Sequence, residues 1–250
     1  MVEILVALSL IAGFVAAHAI GFWLGSSTRT RSADEPFDRQ VALVRTSTAA
    51  LVAFLVGFAF SGAASRFINR QDIIVREANA VGTAYLRADT IAEPQRGELK
   101  AALKEYTADR VTLLSREGRE QIEPLLAKVS GLHERMWQTA IKATQDNAPL
   151  MAVVLPPINE VIALHTTHLA MTRRHLPIPI MTVLMGAAAI SIVLIGFGNG
   201  RLGRRFSVLD SVYGVILAAA LWMTIDLDYP GIGLIRVSNL PIVGTLAAMN

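Results

Sequence analysis

Four stretches of the sequence are apolar over a length that matches a lipid bilayer: Val2–Gly25, Val44–Ser65, Ile178–Phe197 and Ser207–Ile225. About 20 apolar residues in a helix span the hydrocarbon core, so each stretch reads as a transmembrane helix. Composition agrees: hydrophobic residues make up 53% of the chain and charged residues only 17%, less charge than a soluble domain of this length carries. The first run has no Lys or Arg ahead of it and Glu3 near its start. It is too long for the apolar region of a signal peptide, so it too reads as a span. Trp23 and Trp222 fall near helix ends, where amphipathic rings favour the membrane interface.

The layout that follows is an all-α integral membrane protein with a helical extramembrane domain inserted between its second and third spans. The spans are 1–25, 44–65, 177–197 and 207–225. Short basic loops occupy 26–43 and 198–206, the insert is 66–176 and the tail is 226–250. The insert has good helix formers from Arg66 to about Ala92, a break at Glu93-Pro94 and a second helix to about Arg116. Gly118, Pro124 and Gly131 punctuate the next part, and another helix precedes Asn147. The last helix runs through His165 and His168 into the third span. Pro156-Pro157 are expected to kink or interrupt it, because proline lacks a backbone donor and clashes with the preceding turn. No alternating strand pattern and no fixed repeat is present.

Arginines flank the spans on both sides. Arg29, Arg31, Arg39, Arg201, Arg204 and Arg205 lie on the loop side, and Arg66, Arg70, Arg76, Arg173, Arg174 and Arg236 on the insert side. Cytoplasmic flanks carry the excess. Arg45 and the greater density on the loop side tip the balance toward an extracytoplasmic insert.

The second span has an ordered surface. Residues three and four apart share a helix face, so Ala49, Ala53, Gly57, Ser61 and Ser65 form one stripe of small side chains. Such stripes let membrane helices approach closely. Phe54 and Phe58 make a ridge beside it. In a ring of identical helices the small stripe receives a neighbour and the phenylalanines turn to a shared axis, forming a constriction that gates by dewetting. Plain helix packing, with the phenylalanines toward lipid, is the alternative.

Phe54-Leu-Val-Gly57-Phe58, followed by Arg66-Phe67, resembles the second transmembrane helix of the bestrophin channels, with Phe67 where that family usually has Trp. Asp226-Leu-Asp228-Tyr-Pro230-Gly231 is similar to a segment of bacterial bestrophins. Three further segments resemble the bacterial bestrophin-like family of membrane proteins: Glu77 to Arg87, Asn159-Glu160 through His165, and Asp226-Leu-Asp228 with Gly233 to Ser238. The resemblance implies a homopentamer with a central pore that passes anions such as chloride, Phe54 and Phe58 lining its neck. A third neck position falls on Ala50, whose small side chain widens the upper neck or removes one gating ring. Ser61 continues the pore face, and Ala53, Gly57 and Ser65 pack helix on helix. The family keeps its insert in the cytosol, against the arginine count, and places the chain in the bacterial inner membrane. The implied partners are further copies of the chain, the lipid bilayer and permeating ions.

Other constellations carry less specific signals. His165, His168 and His175 would lie within about 80° of one another on a continuous helix. They can share a metal or form a polar face at a helix contact. Asp226 and Asp228 sit at the C-terminal end of the fourth span, where acids oppose the helix dipole and call for partners. Arg66 and Arg70 are the candidates, and a calcium site is the alternative. Both arginines also suit a pore mouth that concentrates anions. Glu77 and Asn79 read as vestibule-lining or helix-contact residues.

Three classes of function are excluded. The chain has no cysteine, hence no disulfide or cysteine-ligated metal. Its net charge of +3 is small and its arginines cluster beside the spans, which argues against nucleic acid. No nucleophile–base motif, Walker loop or dinucleotide fingerprint occurs, so neither an enzyme nor a cofactor is expected. The basic, glycine-rich stretch from Gly196 to Arg205 only joins two spans. Besides a channel, a membrane-anchored helical scaffold that binds a partner fits the same features.

Overall fold

The computed structural model describes residues 2–28, 35–115, 122–204, 207–230 and 233–249. Arg29, Arg31, Arg205, Gly118 and Gly231 lie outside them. The described residues form helices α1 (Val2–Ser27), α2 (Glu35–Arg87), α3 (Gln95–Leu114), α4 (Ile122–Thr144), α5 (Ala148–Thr172), α6 (Ile178–Leu202), α7 (Val208–Asp228) and α8 (Leu240–Ala247), with one 3₁₀ turn at Ala88–Thr90. No strand occurs among them. The chain divides into two compact units: Met1–Phe67 with His175–Arg236, and Ile68–Arg174 with Val237–Asn250.

The first unit holds α1, the first part of α2, α6 and α7. Its core is Phe14 and Ala17 from α1, Val52 and Val56 from α2, Ala188 and Ile192 from α6, and Leu217 and Leu221 from α7. The closest approach is between α1 and α6. A Cβ on Gly21 would run into the Val193 carbonyl and one on Gly25 into that of Phe197. One on Gly196 would meet the His18 carbonyl and one on Gly200 that of Phe22. Two small-xxx-small pairs thus interlock backbone against backbone. Helix α2 begins at Glu35, inside the segment 26–43 read from sequence as a loop. Pro36 suits an early helical position, and Glu35 and Asp38 complement the positive end of the dipole. Arg201 holds that turn, with Nε 2.7 Å from Asp38 Oδ1 and its guanidinium over the Phe37 ring. Helix α6 ends in a left-handed Gly203, and Arg204 N donates to Asn199 O at 3.0 Å. Helix α7 opens with a capping box between Ser207 and Asp210.

The second unit packs α3, α4, α5 and the last part of α2 around Val81, Leu103, Tyr106, Met136, Ile158 and Val161, and α8 adds Ile242 to a smaller core with Ile74 and Ala78. Helix α5 runs unbroken through Pro156 and Pro157, where the sequence led us to expect a kink or an interruption. Pro157 has no N–H to give the Val153 carbonyl, and Arg87 Nη1 supplies the missing donor at 2.8 Å. Five helices among the described residues are long and apolar enough to cross a membrane: α1, α2, α5, α6 and α7. Sequence reading had counted four. The additional one, α5, packs against α3 and α4, both rich in charge.

Candidate functional site

Within the first unit α2 is fixed by one face and bare on the other. Val52, Val56, Ala59 and Ala63 recur at helical spacing and are buried. Phe54 and Phe58 stand 69% and 70% exposed. Ala50, Ala53, Gly57, Ser61 and Ser65 are exposed as well. The small stripe is therefore not what packs α2 within its own chain. Gly57 makes the point by contrast with the α1–α6 crossing: a Cβ there would meet nothing within 4 Å.

A second cluster closes the far end of α7. Asp228 is fully buried. Its Oδ1 accepts from Arg66 Nε at 2.7 Å, and its Oδ2 accepts from Leu176 N at 2.7 Å. His175 Nδ1 lies 3.0 Å from the Asp228 carbonyl, and its ring stacks on Tyr229 with centroids 4.0 Å apart. Asp226 takes neither arginine. Its Oδ2 accepts from Leu234 N and Ile235 N, both at 3.0 Å, which turns the chain after the helix. Gly233 sits where any side chain would collide with that carboxylate. Arg70, in the second unit, donates instead to the carbonyls of Met171 and Arg174, capping the end of α5.

The histidine triplet is not assembled on one helix. Helix α5 ends at Thr172, so His175 lies off the helix that carries His165 and His168. No group of three or more His, Cys, Asp or Glu able to hold a metal occurs among the described residues. His165 and His168 instead line a buried polar centre of the second unit. At its heart Arg110 embraces Glu77, Nε to Oε1 at 2.5 Å and Nη2 to Oε2 at 2.7 Å. The Tyr106 hydroxyl donates to the same Oε1. Glu77 is fully buried and bonds across to α3, which is the helix contact among the two alternatives and not the vestibule lining. Asn79, two residues on, is exposed and lines a shallow cavity with Gly82, Thr83 and Thr245.

His133 completes this centre and escaped sequence reading. It stands 5.3 Å from Tyr106 and 5.0 Å from His165, ring centroid to centroid. A signal was present: His133 shares the α4 stripe of Val129, Met136 and Ala140, all buried. Burial drives Glu77 upward, but the Arg110 and Tyr106 hydrogen bonds outweigh it and hold the carboxyl below its ordinary range. Burial, followed by the charge of Arg110, pushes His165 down to about 3 and His168 to about 4. Burial lowers His133 to about 4 against the pull of Glu77.

The family model of the Bestrophin-like domain matches residues 12–242. Among solved structures, a bacterial bestrophin homolog from Klebsiella pneumoniae superimposes in several single-substitution forms. One gives a TM-score of 0.67 at 11% identity, covering 100% of this chain and 98% of the other. A second gives 0.66 at 13%, covering 96% of each. A third gives 0.65 at 14%, covering 98% and 95%. At such identities the likeness is one of fold. No curated protein matches the chain.

Proposed function

Since this chain belongs to the Bestrophin-like domain family, we propose that it is an ion channel of the inner membrane built from five copies around a central pore. Each copy contributes α2, with Phe54 and Phe58 forming a hydrophobic neck and Ala50 and Ser61 extending the same face. Four helices cross the bilayer: α1, the apolar part of α2, α6 and α7. Helix α5 stays with the extramembrane unit on the cytosolic side, because its core is shared with α3 and α4. Ala53, Gly57 and Ser65 receive the neighbouring copy. Anions such as chloride are the cargo, since the positive edges of aromatic rings tolerate negative charge in a narrow apolar passage. Arg66 pairs with Asp228 near the pore mouth and adds its field.

The observation that carries this reading is the bare face of α2. Two large phenylalanines a turn apart stand 69% and 70% exposed while Val52, Val56, Ala59 and Ala63 on the opposite face are buried. Native mass spectrometry in mild detergent and in nanodiscs, followed by ion flux from liposomes, tests it. Five-subunit particles with flux support the channel. A monomer or dimer without flux in both media overturns it and leaves a membrane-anchored scaffold.

A further inference from the structure

The polar centre of the second unit has no part in the proposed pore, and its chemistry is unusual for a helical core. Its histidines come from two helices, His133 from α4, and His165 and His168 from α5. Three of their ring nitrogens are buried with no hydrogen-bond partner among the described residues: His133 Nε2, His165 Nδ1 and His168 Nδ1. The charged groups that act on them are Glu77 and Arg70 from α2 and Arg110 from α3, with the Tyr106 hydroxyl between. Glu77 is already held by Arg110 through two contacts, and Arg70 by two carbonyls. A proton added to any of the three rings therefore meets arginines and, among the described residues, no carboxylate but the committed Glu77. A charged imidazole there is short of water as well, and burying an unpaired charge is costly.

We propose that this histidine centre is an acid-sensitive latch: the second unit stays closed while His133, His165 and His168 are neutral, and opens along α4 and α5 when they take up protons. The argument stands on the second unit alone and does not require the channel reading. The sign follows from linkage. The closed form keeps the rings neutral down to about pH 4, 3 and 4 for His133, His165 and His168. The opened, hydrated form protonates near the ordinary value of about 6.5. Stability is thus complete above about pH 6.5 and falls as the pH drops toward those lower values. With nearly three protons bound on opening, the opening constant rises a few hundred-fold per pH unit, roughly, below pH 6.

The test uses the full chain in nanodiscs between pH 7.5 and 4.5. Amide hydrogen exchange, corrected for intrinsic rates, reads opening of α4 and α5. Imidazole C2–H exchange by mass spectrometry reads the titration of each histidine in the unmodified protein. The expected result is exchange in α4 and α5 that accelerates steeply below pH 6, with the three rings titrating only as opening occurs. The variants His133→Gln, His165→Asn and His168→Asn should each lower the steepness by about one proton. Exchange that does not change with pH overturns the latch. So does titration of the three rings near 6.5 with α4 and α5 still closed, or undiminished steepness in the triple variant. If a variant fails to fold, the unmodified protein's two readouts still decide.

Discussion

At the scale of single residues, the phenylalanines of α2 and the aspartate at the end of α7 make opposite predictions. Replacing both Phe54 and Phe58 by alanine removes two exposed rings and no core contact, so the fold is expected to stand. In the proposed channel, conductance and open probability in planar bilayers are expected to rise several-fold as the neck wets. Asp228→Asn strips the charge from a fully buried acceptor and leaves Arg66 without its anion. Loss of about 3 kcal/mol of stability is expected, measured by thermal unfolding in detergent. That Phe54 and Phe58 share an unburied face was legible because two large apolar residues a turn apart, flanked by small ones, mark a face by period alone. Arg66 was legible as a partner for Asp228 because only a few arginines lie near that end of the spans. The Glu77–Arg110 pair was not, since 33 residues separate the two and no local spacing links them. His133 was missed for the opposite reason: its neighbours Val129 and Met136 made the stripe look like ordinary core.

At the scale of helices, two devices stand out, and each gives a paired experiment. Gly196→Ala drives a methyl group into the His18 carbonyl at the α1–α6 crossing, whereas Gly57→Ala meets open space. The first is expected to cost about 1–3 kcal/mol of subunit stability. The second should leave the subunit within about 0.5 kcal/mol of the parent, and any harm it does should appear in assembly measured by native mass spectrometry. In α5, Arg87→Met leaves the Val153 carbonyl without the donor that replaces the one Pro157 lacks. A loss of about 1–2 kcal/mol in chemical unfolding is expected, and Pro157→Ala should recover most of it by restoring the helix's own hydrogen bond. The long apolar helices α1, α2, α6 and α7, the break at Glu93-Pro94 and the helix before Asn147 could be read from pattern and punctuation. The continuity of α5 could not, because the donor that permits it comes from a residue 66 positions away. The early start of α2 depended likewise on Arg201, which reaches Asp38 from α6.

At the scale of the molecule, neither unit is contiguous in the chain. Each is opened by an early segment and closed by a late one: the first by α6 and α7, the second by Val237–Asn250. The closing segment of the second unit is firmly tied, since Ser238 exchanges two hydrogen bonds with Gln71 and Tyr85 donates to the Met249 carbonyl. Deleting residues 237–250 is therefore expected to leave α1, α6 and α7 protected in amide exchange and to expose α3 and the last part of α2. The glycine crossing has a further consequence in time. Gly21 and Gly25 leave the ribosome long before Gly196 and Gly200 exist, a gap of roughly 175 residues, or about 10–35 s of synthesis. In the proposed channel α1 spends that interval in the bilayer with its closest-packing face unmatched, while the sequence between the two helices is made. Its first companion in the membrane is thus a temporary one, lipid or the insertion machinery, and α6 must displace it on arrival.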